Sequence, residues 1–317
     1  MSSAQQSAGE PAGRIAPARE LVNTFEFEAM AQRSLNAAAF AEIAGSERSA
    51  FERITFRPRM MVNTVSLDLS TELFGQPMFA PILVGPTSEQ KRFHTEGELA
   101  TARGAGAAKT TMVVSSRASY PLREIAAQGG AVLWYQAYTE PDADTGRRRI
   151  EEAVGLGCKV LCITGGSADW ASIDRLRQGV RVPCILKGVM SAEEARAAMA
   201  RGMDGIVVSN YRAGGMAAPI EVLPAIVQAV GGKVPVLIDG SFRRGSDILK
   251  ALALGARAVL LGRPVLWALA AYGSAGVQAM LEMLQTELGR DMAMCGKPNL
   301  KSLDPGVVKI HARGPVC

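Results

Sequence analysis

Eight short apolar runs recur along the chain, and most of them end in Gly, Ser, Thr or Asn. They are Met78–Thr87, Thr111–Ser116, Val132–Tyr138, Lys159–Gly166, Val182–Gly188, Gly205–Asn210, Val234–Gly240 and Ala258–Pro264. Each is apolar throughout rather than alternating, as expected for parallel strands buried on both faces. Ala-rich amphipathic stretches lie between them, among them Glu96–Lys109, Ser191–Gly202, Ala218–Val230 and Gly245–Gly255. The last two run into glycine, a common helix stop. Eight strand–helix units without a break predict a (β/α)8 barrel, α/β in class, with an open doubly wound sheet as the alternative.

Outside this rhythm, Phe25–Ala44 reads as one amphipathic helix. Phe51–Phe79 reads as a strand-rich lid under the barrel, residues 275–296 as a closing helix, and the end after Cys295 as loop. Residues 1–19 combine Ala, Gly, Ser, Gln and Pro with scattered charges, which predicts a disordered tail. Residues 20–317 are then a single domain, with the barrel proper at about 78–296.

Composition narrows the function classes. Charged residues make up 21% of the 317 and aromatics 5%, so wholesale disorder and a stacking surface for single strands are both disfavoured. The net charge of +5 suffices to hold a phosphate but is thin for a nucleic-acid footprint. No apolar stretch reaches about 18 residues without a charge, so no membrane span is expected. The first residues lack the apolar core of a secretory signal, and a cytoplasmic protein is expected. Five cysteines without a CxxC pair fit free thiols in a reducing compartment, and no metal site is expected.

In such barrels the site lies at the C-terminal ends of the strands. The polar residues there are Pro86, Thr87 and Ser88; Ser115 and Ser116; Gln136 and Tyr138; Thr164; Lys187; Ser209, Asn210 and Tyr211; Asp239, Gly240, Ser241, Arg243 and Arg244; and Gly262 and Arg263. The last two groups set glycines and arginines before helices, a pattern suited to phosphate. The alternative is that these arginines form surface ion pairs. Lys187 follows an apolar strand and is expected in the barrel mouth, facing an anion or an electron-rich ligand, or else paired with Asp239.

Several of these stretches resemble the FMN-dependent α-hydroxy-acid dehydrogenase/oxidase family, which includes glycolate and lactate oxidases. They include FERITFRPRM, STELFGQPMFAPILVGPTSEQKRFHTEGELATARGAGAAKTTMVVSS, ILKGVMSAEEARAAMARGMDGIVVSN and VPVLIDGSFRRGSDILKALALGARAVLLGRPVLWALAAYGSAGV. The resemblance implies a barrel holding FMN, acting on CH–OH donors and assembling as a homo-oligomer, often a tetramer. It places Pro86, Thr87 and Ser88 beside the flavin ring and Ser115, Gln136 and Thr164 at its polar edge. Lys187 falls at its electron-accepting end, and Ser209 belongs to the matching segment after strand six. Asp239, Gly240, Ser241 and Arg243 match the ribityl and phosphate segment, with Ser241 replacing a usual Gly. Gly262 and Arg263 match the second phosphate loop.

The substrate side departs from the family pattern. Tyr211 stands where the resemblance expects the base His, Gly214 where it expects the carboxylate-binding Arg, and Gly166 where it expects the supporting Asp. Glu42 replaces a Tyr, and Tyr138 alone of the set remains. The loop after strand four is cut short, and the loop after strand six is trimmed. Tyrosine, with an ordinary pKa of about 10, is a poor base at neutral pH. Three readings follow: an FMN oxidoreductase with altered substrate or chemistry, a weak 2-hydroxy-acid oxidase using Tyr211 and Arg212, and a non-catalytic FMN-binding protein. Tyr138, Lys187, Tyr211 and Arg212 are the candidate catalytic residues.

Overall fold

A computed structural model describes residues 15–312 except 46, 60, 140–142, 166–169 and 212–216. At the N-terminus come α1 (Thr24–Ser34), α2 (Ala37–Ile43), α3 (Ser49–Glu52) and three short strands, β1 (Ile54–Phe56), β2 (Thr71–Leu73) and β3 (Gln76–Met78). The alternation follows: β4 (Ile82–Val84), α4 (Gly97–Ala107), β5 (Thr111–Ser115), α5 (Leu122–Ala126), β6 (Leu133–Tyr138), α6 (Ala143–Gly155), β7 (Leu161–Thr164) and α7 (Trp170–Arg177). The second half is β8 (Cys184–Val189), α8 (Ala192–Ala200), β9 (Gly205–Val208), α9 (Pro219–Val230), β10 (Val236–Asp239), α10 (Gly245–Ala253), β11 (Ala258–Leu261), α11 (Arg263–Met294) and β12 (Val308–Ile310).

Strands β4 to β11 pair in parallel in chain order, and β11 closes on β4 through Val259–Ile82, Leu260–Leu83 and Leu261–Val84. This is the expected (β/α)8 barrel. Seven of the eight expected runs contain a barrel strand, and Val182–Gly188 holds all of β8 but its last residue. Side chains alternate between two apolar layers. Leu83, Val113, Trp134, Cys162, Ile185, Val207 and Leu237 fill the interior, whereas Ile82, Val84, Met112 and Val114 face the helices. The β2–β3 hairpin seals the bottom, where Phe74 meets Trp134 edge-on with ring centroids 5.6 Å apart.

Three expectations change. The single helix over Phe25–Ala44 is two, because the Asn36 side chain accepts from the Ala39 N–H at 2.9 Å and starts α2 afresh. The closing helix begins at Arg263 rather than 275, with a kink at Gly273 (φ 59°), where a Cβ would lie 3.1 Å from His94 Nε2. The end after Cys295 is not all loop, since β12 pairs antiparallel with β1. Of the expected tail, residues 1–14 lie outside the described residues, while Ala16 is buried and its carbonyl accepts from the Tyr272 hydroxyl at 2.5 Å. Helix α11 is long and apolar enough to cross a membrane, but 61% of its most apolar window is buried inside the fold, so its hydrophobicity is that of a core helix. The four described cysteines are buried and unpaired, and Cys317 lies outside the described residues.

Helices α4 and α11 approach most closely at Gly104, where a Cβ would lie 2.6 Å from the Ser274 carbonyl and 2.7 Å from Val277 Cβ. Gly104→Ala is therefore expected to lower unfolding free energy by about 1–3 kcal/mol, read from urea denaturation.

Candidate functional site

The strand ends deliver polar groups to one mouth because residues two apart on a strand share a face. A cavity of about 460 Å³ opens there, lined by Pro86, Thr87, Ser88, Lys187, Tyr211, Asp239, Gly240, Ser241, Arg243, Gly262 and Arg263 among others. Ser115 and Ser209 bond to wall residues from outside the lining, and Gln136 and Thr164 bond to each other. Ser115 Oγ lies 3.1 Å from Ser88 Oγ, Gln136 Nε2 donates to Thr164 Oγ1 at 2.6 Å, and Ser209 Oγ accepts from Lys187 Nζ at 2.7 Å. Tyr138 is 9% exposed and lies under the Arg117 guanidinium at 4.1 Å.

Lys187 carries its ammonium into the mouth with 4% of its surface exposed. Nζ pairs with Asp239 Oδ2 at 2.6 Å and lies 5.4 Å from the centre of the Tyr211 ring. Lys187 lines the cavity and pairs with Asp239.

The β10–α10 turn forms the second charged centre. Gly240 has φ 105° and Ser241 φ 59°, both in the left-handed region that favours glycine. A serine there costs about 1–2 kcal/mol relative to ordinary backbone. The turn aims Arg243 inward, 3% exposed and stacked 4.5 Å from the centre of the Trp267 ring. Its Nη1 donates to its neighbour's Phe242 carbonyl at 2.8 Å, while Nη2 is buried and has no partner among the described residues. Burial, and then the charge of Arg263, push the guanidinium down to about 10. A buried donor left unmade costs about 1–3 kcal/mol, more when charged, so this arrangement calls for an anion. Among the described residues no carboxylate pairs with Arg263, and no side chain caps the first turn of α11 behind Gly262. Two guanidinium groups and a helix N-terminus suit a phosphate dianion. The buried Gln136 Oε1, also without a partner among the described residues, offers an acceptor to a donor-bearing ring.

This chemistry has a match among known proteins. The profile of the family described as FMN-dependent dehydrogenase fits residues 26–166 and 164–310. The chain belongs to that family. FMN is accordingly its cofactor, and the phosphate receptor and the unpaired polar atoms fit that group. L-lactate oxidase from Nostoc sp. is 35% identical, with 89% of this chain and 96% of that protein covered. 2-Hydroxyacid oxidase 1 from Homo sapiens is 35% identical, with 82% and 86% covered. The crystal structure of mandelate oxidase with (S)-2-phenylpropionate superimposes with a TM-score of 0.87 at 33% identity, covering 92% and 99% of the two chains. In this chain β7 ends at Thr164 and α7 begins at Trp170, so the connection is five residues long. Tyr211 is 56% exposed at the rim. Gly166, Arg212 and Gly214 lie outside the described residues.

Sequence reasoning missed the supports of the phosphate receptor. Asp247, 1% exposed, accepts from the Arg243 and Arg244 N–H groups at 2.9 and 3.0 Å and pairs with Arg48 at 2.7 Å. Glu287 takes Arg244 and the Gly245 N–H, and Thr24 Oγ1 donates to the Arg243 carbonyl at 2.6 Å. An acid three residues beyond Arg244 at a helix start was the available signal for Asp247. Glu42 from α2 also lines the cavity, ion-paired with Arg92. Asp247→Ala is expected to cost about 1–3 kcal/mol of stability by chemical denaturation, because it strips a helix cap and a partner from a buried turn.

Proposed function

We propose that this chain is an FMN-dependent oxidoreductase whose donor is not the small 2-hydroxy acid of its relatives. The observation that carries this reading is that no histidine lines the cavity. His94 packs against the α11 kink, and its Nδ1 accepts from the Glu96 N–H at 3.2 Å. His311 sits at the β1–β12 sheet, with Nε2 2.8 Å from Thr55 Oγ1. Removing a proton from a hydroxy acid calls for a base within hydrogen-bond reach, and the relatives' carboxylate clamp is Gly214 in this sequence.

Bound FMN supplies a two-electron acceptor. Arg243, Arg263 and the Gly262 turn would hold its phosphate, and Asp239, Gly240 and Ser241 its ribityl chain. Pro86, Thr87 and Ser88 would flank the ring, with Ser115, Gln136, Thr164 and Ser209 toward its polar edge. Lys187 places positive charge where negative charge develops on transfer of electrons. Its bonds to Asp239 and Ser209 hold the ammonium in one position. Tyr211 lines the cavity where a donor would enter, and Tyr138 lies beside it beneath Arg117. A second reading, a 2-hydroxy-acid oxidase with Tyr211 and Arg212 as substitutes, draws support from the ammonium beside the Tyr211 ring.

Anaerobic mixing of the FMN-loaded protein with small L-2-hydroxy acids separates the readings. Unchanged flavin absorbance, with normal photoreduction as control, is expected, and bleaching by any of the acids favours the second reading. Failure to photoreduce points to a protein that binds FMN without using it. Arg243→Ala and Arg263→Ala should each weaken FMN binding about 10- to 100-fold, the loss of one charge-assisted contact. Full occupancy in both variants would overturn the phosphate assignment. Because the phosphate needs the charged guanidinium, FMN affinity should hold at neutral pH and fall as pH rises past about 10, where Arg243 loses its proton. Flavin retained on desalting across the alkaline range reads this directly.

A further inference from the structure

We infer that Arg117, stacked on Tyr138, is an anion clamp that admits a donor bearing a carboxylate at the rim of the mouth. The inference rests on the oxidoreductase reading above and names its substrate class. Each cation in the cavity wall already has an assignment: Arg243 and Arg263 face the phosphate, Lys187 is held by Asp239, and Arg92 by Glu42. Arg117 has none, for among the described residues no carboxylate pairs with it.

Its placement is fixed from three sides. The Arg117 N–H donates to Ser115 Oγ at 3.1 Å, and that hydroxyl lies 3.1 Å from Ser88 Oγ in the cavity wall. The Arg117 carbonyl accepts from the N–H of Glu89, another wall residue, at 3.1 Å. The guanidinium lies 4.1 Å from the centre of the Tyr138 ring. Stacking uses the flat face of a guanidinium and leaves its in-plane N–H groups directed outward, the geometry that takes a carboxylate on two parallel bonds. The neighbouring Ser116 Oγ is buried and has no partner among the described residues, which leaves a further hydroxyl beside the clamp.

Arg117 stands outside the wall rather than in it, so a donor that meets both clamp and cavity keeps its carboxylate away from the carbon it presents. That separates it from a 2-hydroxy acid, whose carboxylate adjoins the reacting carbon. Anion recognition has thus moved from the loop after β9, where Gly214 stands, to the end of β5.

The test is calorimetric titration of the FMN-loaded protein with 4-phenylbutyrate and with the uncharged 4-phenylbutyramide. The acid is expected to bind and the amide to bind more weakly. Arg117→Gln should weaken the acid about 10- to 100-fold and leave the amide unchanged, with Arg117→Lys between. Arg123→Gln, an exposed cation on α5, should change neither. Equal affinity for acid and amide, wild-type affinity in Arg117→Gln, or no binding of the acid at millimolar concentration overturns the clamp. FMN content and photoreduction of the same samples keep the two ideas apart. If both are normal, only the clamp has failed, whereas loss of FMN from the wild type sinks the underlying reading.

Discussion

One buried ammonium joins the ends of three successive strands. Lys187 on β8 reaches past β9 to Asp239 at the end of β10 and donates to Ser209 just after β9 on the way. An isolated charge at 4% exposure would be costly, and removing one partner of such a pair costs about 3–5 kcal/mol. The pair therefore fixes the relative positions of three strand ends. It also sets a positive centre beside Gly240 and Ser241, whose left-handed backbone turns the chain toward the phosphate receptor.

That receptor is built from distant parts of the chain. Trp267 of α11 stacks on Arg243, and its Nε1 donates to the Ile43 carbonyl of α2 at 2.8 Å. Thr24 of α1 bonds the Arg243 backbone, and Arg48 pairs with Asp247. The N-terminal helices thus serve as a brace over the β10–β11 side of the mouth, and α2 contributes Glu42 and Ile43 to the cavity. The β5–β6 side carries Arg117 and Tyr138 at the rim. On the proposed reading the two sides divide the work: one would hold a phosphate by buried charge, and the other would recognise a donor.

The barrel was legible in the sequence because strands covered on both faces leave unbroken apolar runs, and Leu83 or Val113 reads the same whether it faces in or out. The two glycine-and-arginine turns were legible because Gly240 and Gly262 sit at fixed offsets from arginines. The break at Asn36 was visible as a capping residue, yet the apolar pattern across it continued and masked the cap. Glu42 with Arg92, Arg117 over Tyr138, and Trp267 under Arg243 are contacts between segments far apart in the chain, and no local pattern encodes them. The departures expected at Tyr211, Gly214 and Gly166 come only from the resemblance, which sets an expectation at each position.

If the buried ammonium is the positive centre of the site, it should govern how readily bound FMN takes electrons. The midpoint potential of bound FMN in the wild type and in Lys187→Met, at matched FMN content, measures this. The variant is expected to show a more negative potential, because the charge that stabilises the electron-rich cofactor is gone. An unchanged potential in a fully loaded variant would contradict the placement of Lys187 at the cofactor.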